Sequence, residues 1–149
     1  DIARGEALHK LGRETWAVEL LESLLNRPGL TRFQLADLAR TLGSVGRDSA
    51  ALAACRRIIR LRPDDADAHH GAAVYLHRLG RDPAAALRYA RKAVELAPDR
   101  PAFLGFLATL LDRHGRPAEA REVLSRIPEH RLLCPTLRAL RRRLDAAGA

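Results

Sequence analysis

Apolar residues return at helical spacing along most of this chain, most regularly between Asp65 and Pro98. Ala68, Ala72, Leu76 and Leu79 mark one run, and Leu87, Ala90, Val94 and Ala97 mark the next. Positions recurring every three or four residues lie on one face of a helix, so each run predicts an amphipathic helix. Between them, Gly80-Arg81-Asp82-Pro83 interrupts the pattern. Glycine just past a helix supplies a left-handed cap, and Asp followed by Pro reads as an N-cap with proline in the first helical turn. The stretch is therefore expected to fold as a helical hairpin.

The same marks recur at nearly constant intervals. Gly-Arg pairs stand at Gly12-Arg13, Gly46-Arg47, Gly80-Arg81 and Gly115-Arg116, and prolines close runs at Pro28, Pro63 and Pro98. A small residue follows each turn at Ala17, Ala51, Ala86 and Ala120. Intervals of 34 to 35 residues with this layout indicate stacked helix-turn-helix units sharing one core. Helices are expected near 2–11, 14–26, 31–44, 47–61, 65–79, 83–97, 101–114 and 117–127. A last helix over 135–147 carries Leu137, Leu140 and Leu144, with Leu133 continuing the apolar stripe, and Arg138, Arg141, Arg142 and Arg143 around the rest. A helix with one apolar face suits the exposed end of a stack.

On these residues the chain resembles the tetratricopeptide repeat (TPR) family. The matching positions are Ala39, Gly46, Ala51, Cys55, Ile58 and Pro63 in one repeat, and Ala73, Gly80, Ala86, Ala90, Ala93 and Pro98 in the next. Ala108, Gly115, Ala120, Leu124 and Ile127 mark a third, where Pro128 arrives early. Leu35, His69 and Leu104, with Leu42, Leu76 and Leu111, stand where the family carries larger aromatics, so aliphatic packing is expected. The resemblance implies an all-α fold, an α-solenoid of antiparallel helical hairpins with a C-terminal capping helix. Its expected division is a partial repeat at 1–31, repeats at 32–65, 66–100 and 101–128, and the cap at 135–147.

Composition narrows the function classes. The chain has 149 residues, enough for one domain that buries roughly two-thirds of its unfolded surface. No apolar run reaches the roughly 20 residues of a membrane span. The net charge of +8 comes almost wholly from arginine, which suits an anionic partner, though aromatics are too few for stacking platforms on single strands. Cys55 and Cys134 stand far apart with no CxxC pair, which speaks against a disulfide framework or zinc site, and unpaired cysteines fit a cytoplasmic protein. The absence of methionine, including at position 1, is expected of an excised domain or processed product. No phosphate-cradling loop, nucleophile elbow or HExxH motif is present, so no catalytic residue, metal site or cofactor is expected.

Function is therefore expected on a binding surface. In the family this is the concave face formed by the first helix of each hairpin, and the resemblance places Arg40, Asp67, His70, Val74, His77 and Arg78 there. Thr109, Asp112 and Arg113 continue the row. Arg40, His70, His77, Arg78 and Arg113 are expected to favour a peptide or partner helix with acidic side chains. His9, His77 and His114 come near the ends of first helices, where an imidazolium offsets the helix dipole. Family members that clamp the terminal carboxylate of heat-shock chaperones carry Lys, Arg and Asn at fixed places. Here those places hold Ala36 and Arg40, Gly71, and Ala102 and Phe106, so that clamp is absent. A non-catalytic interaction scaffold is the leading expectation. The alternatives are the substrate-recruiting arm of a larger enzyme, such as a bacterial transferase, and nucleic-acid binding through the basic surface. Self-association through the N-terminal face, where Trp16 lies, is a further expectation.

Overall fold

The computed structural model describes residues 1–148. Nine α-helices stand among them: α1 (Ile2–Lys10), α2 (Glu14–Leu25), α3 (Arg32–Ser44), α4 (Asp48–Leu61), α5 (Ala66–Arg78), α6 (Pro83–Leu96), α7 (Pro101–Arg113), α8 (Pro117–Ser125) and α9 (Pro135–Ala147). Their ends fall within two residues of those the periodicity predicts.

The Gly-Arg pairs are the turns, and the backbone shows why. Gly46 and Gly80 sit at φ 75° and 62°, where a Cβ would strain the chain. That conformation folds the next N–H back onto the preceding helix: Arg47 N–H donates to the Leu42 carbonyl at 2.8 Å and Arg81 N–H to the Leu76 carbonyl at 3.1 Å. Asp82 also adopts a left-handed φ of 41° and caps α6 by accepting the Ala85 N–H. Thr31 and Gln34 form a reciprocal capping box at α3, and Asp65 caps α5.

Each first helix packs on its own second helix and on the second helix of the unit before it, giving an α-solenoid. The packing depends on small residues where helices cross. Ala39, Ala73 and Ala108 are 4%, 0% and 0% exposed. Gly5 occupies the same register in α1, and a Cβ there would lie 2.6 Å from Leu21. The large core side chains, Leu35, Leu42, Leu104, Leu111 and Leu124 among them, fill the space between hairpins.

Helix α9 covers the end of the stack by packing on α8 and α7. Leu144 is buried, Leu137 lies over Gly105, and Arg143 donates to Asp112 at 2.6 Å. The sequence pattern placed Leu133 in this apolar stripe, and the structure corrects it. A short 3-10 turn at Glu129–Arg131 points Leu132 into the core, and the helix starts only at Pro135, which leaves Leu133 78% exposed.

Overpacking a helix crossing is costly because the two backbones are held close. Ala73→Leu is expected to destabilise the chain by about 1–3 kcal/mol. A lower denaturant midpoint with helical signal retained under native conditions is the expected result.

Candidate functional site

The first helices form a continuous row joined by side chains. Arg40 on α3 donates to Glu6 on α1 at 2.9 Å, and Thr41 donates to the same carboxylate oxygen at 3.0 Å. Tyr75 on α5 reaches the Ala39 carbonyl on α3 at 2.9 Å, and Arg78 reaches the Gly43 carbonyl at 3.1 Å. His70 on α5 stacks on Phe103 of α7 with centroids 4.4 Å apart, and Phe106 meets both His70 and His77 edge-on.

The row brings His70, Val74 and His77 together on successive turns of α5, half-buried, with Arg113 at the far end of α7. It also shows that most of the expected selecting charges are already used. Arg40 is held by Glu6 and Asp37, and the hydrogen bonds that Arg40 and Thr41 donate pull the Glu6 carboxyl below its usual range. Arg78 pairs with Asp48 at 3.0 Å and lies over the Tyr75 ring. Asp67 pairs with Arg100 at 2.6 Å and Arg32 at 3.5 Å, and Asp112 with Arg143. The Thr109 hydroxyl donates to the Gly105 carbonyl within its own helix. Among the described residues, Arg113 forms no ion pair.

Phe103, Phe106 and Arg100 join this row, although none of them is among the binding residues that the family resemblance implies. Their signal was register: Phe103 stands 35 residues after Ala68 and so faces the helix before it, as Ala68 does. Between α3 and α5, where both facing positions are alanine (Ala36 and Ala68), a cleft of about 160 Å³ remains. Ala39, Gly71, Ile58, Cys55 and Tyr75 line it together with the buried Asp65, and the more exposed Arg32, Arg40 and Asp67 stand at its edge. Cys55 is free and buried, and desolvation pushes its thiol up to about 12, so it stays protonated. No group of three or more His, Cys, Asp or Glu among the described residues converges as a metal site. Among the described residues no helix is long and apolar enough to cross a membrane.

Hairpins at a fixed interval, glycine turns and small residues at each crossing define a helix-turn-helix repeat protein. Two tetratricopeptide repeat family models match, one over residues 36–101 and one over 77–144, and the chain belongs to that family. No curated protein matches it significantly. Solved structures with the same fold include a thermophilic TPR protein of Thermus thermophilus, at TM-score 0.66 and 20% identity over 99% of this chain and 81% of that one. The Yersinia enterocolitica type III secretion chaperone SycD, in complex with a peptide of the translocator YopD, aligns at TM-score 0.68 and 18% identity, covering 78% of this chain and 93% of its own. The first TPR of Spaghetti (RPAP3), bound to an HSP90 peptide, aligns at 0.69 and 16%, covering 78% and 94%.

The histidines differ from the sequence expectation in charge. Burial, reinforced by Arg100, lowers the His70 pKa from its ordinary 6.5. Burial, with Arg113 and His114 adding like charge, lowers that of His77, so the imidazolium cap expected at this helix end is disfavoured. Below 6.5 the unfolded chain then binds more protons than the folded one, so stability falls as pH drops from 6.5 toward the lowered folded values. His70→Phe keeps the stack but removes one titrating group. Thermal melts across this range are expected to show a shallower acid-side loss for that variant than for the wild type.

Proposed function

We propose that this chain is a protein-interaction scaffold that holds a peptide or partner helix along its row of first helices. The observation that carries this reading is the strip of His70, Val74, His77 and Phe106, half-buried on the face that the family presents as its concave side. Partly apolar groups in a groove walled by paired charges can seat a peptide without a large desolvation cost. SycD and the RPAP3 repeat domain share the fold and each was solved with a bound peptide, which supports the reading.

The pairing of Arg40 and Arg78 narrows the electrostatic part of the proposal. A cation already bound to carboxylates offers little to a partner's acid, so acidic selectivity falls to Arg113. Reversing Arg40 or Arg78 would disturb Glu6, Asp37 or Asp48 before it touched a ligand. Val74→Arg and Arg113→Glu are the cleaner probes.

Peptides selected from a random phage-displayed library on the wild-type chain provide the test. Val74→Arg is expected to weaken the selected peptides roughly tenfold or more. Arg113→Glu is expected to weaken acidic peptides more than neutral ones, with a modest salt dependence. Arg60→Glu and Arg88→Glu, on the outer second helices, are expected to leave binding unchanged. Loss of binding only in the outer-face variants would sink the proposal. Capture of nucleic acid with affinity falling steeply in salt would instead favour the basic outer surface.

A further inference from the structure

The three gaps between neighbouring first helices from α3 to α9 are built to one register, and only one is left unfilled. Ala36, His70 and Gly105 occupy equivalent places on α3, α5 and α7, at intervals of 34 and 35 residues. The residue that faces each from the next first helix is Ala68, Phe103 and Leu137, at intervals of 35 and 34. Phe103 stacks on His70, and Leu137 lies directly over Gly105, where its side chain takes the space a Cβ would need. Ala68 cannot reach across, and the 160 Å³ cleft is the result.

We propose that this α3–α5 cleft is the anchor pocket of the groove and takes one leucine or phenylalanine side chain of the bound peptide. The inference rests on the reading of the first-helix row as a peptide site and specifies what that site selects. The stack itself shows which chemistry fits: in the α5–α7 and α7–α9 gaps, a phenylalanine and a leucine close the same space. The volume agrees, since an apolar cavity of about 150 Å³ holds a benzene-sized guest. The lining is mostly apolar, its buried carboxylate Asp65 is paired with Arg32, and Cys55 stays uncharged there.

Charge complementarity points to a neutral occupant. The two rim cations are both committed: Arg32 to Asp65 at 2.6 Å and to Asp67, and Arg40 to Glu6 and Asp37. Burial alone would raise the Asp65 carboxyl, but Arg32 and the Ala68 N–H hold it below its usual range, so it stays ionised and paired. No uncompensated charge lines the opening. A charged side chain placed here would lose its hydration without gaining a free partner, whereas an aliphatic or aromatic one loses only unfavourable contact with water.

The test fills the pocket from within the chain. Ala68→Leu supplies in cis the side chain that Leu137 supplies at the next equivalent gap, and Ala36→Leu fills the cleft from the opposite wall. Both variants are checked first by helical circular dichroism and melting temperature, and a variant that unfolds is replaced by the other. Library-selected peptides are then measured on the wild type and on the folded variants. The expected result is that they share one leucine or phenylalanine, that replacing it with alanine weakens binding roughly tenfold, and that either filled variant does the same. Unchanged affinity in a folded filled variant would overturn the proposal, as would selection of a charged residue at the anchor position. A wild-type dimer dissolved by either substitution would also overturn it, by making a second copy the occupant. Peptides that respond to Val74→Arg but not to filling leave the groove reading standing and remove only the pocket. Peptides that respond to neither remove both.

Discussion

The close crossing of helices at one small residue per unit is the constraint on which the stack depends. Gly5, Ala39, Ala73 and Ala108 stand where the backbones of paired helices come nearest, and a larger side chain at any of them would push the hairpin open. Once the crossing is fixed, the surrounding leucines have one way to interdigitate, and each hairpin presents the same two faces to its neighbours. The glycine turns serve that geometry by reversing the chain in few residues. Helix α9 then behaves as another first helix, covering α7 and α8 as α5 covers α3 and α4.

The exposed row of first helices is governed by a second rule, that charges brought close together satisfy one another first. A chain with net charge +8 still has carboxylates within reach of nearly every arginine on this face. Much of the apparent binding potential of Arg40 and Arg78 is thereby spent on joining helices to one another. What is left unpaired on this face is less charged and more apolar: an imidazole and aromatic strip on one side and an unfilled cleft beside it.

Much of this was legible in the chain itself because repetition amplifies weak signals. A single Gly-Arg pair means little, but four at matched intervals locate four turns, and the alanines after them locate the buried faces. The capping helix was legible from its own apolar stripe, except at Leu133. There periodicity alone could not register that Pro135 starts the helix and that the preceding turn sends Leu132 inward instead.

The sequence by itself determined the helices, their turns, the repeat interval and therefore the solenoid, because each depends on residues within about one hairpin of each other. Through the family resemblance it implied which side chains to expect along the row of first helices. Only the tertiary structure decided which of those side chains are free. Arg40 and Glu6, Arg78 and Asp48, and Asp112 and Arg143 lie 30 to 34 residues apart, and nothing in local spacing says that they meet. The α3–α5 cleft is likewise a property of two alanines brought face to face from different repeats, where a phenylalanine closes the α5–α7 gap and a leucine the α7–α9 gap.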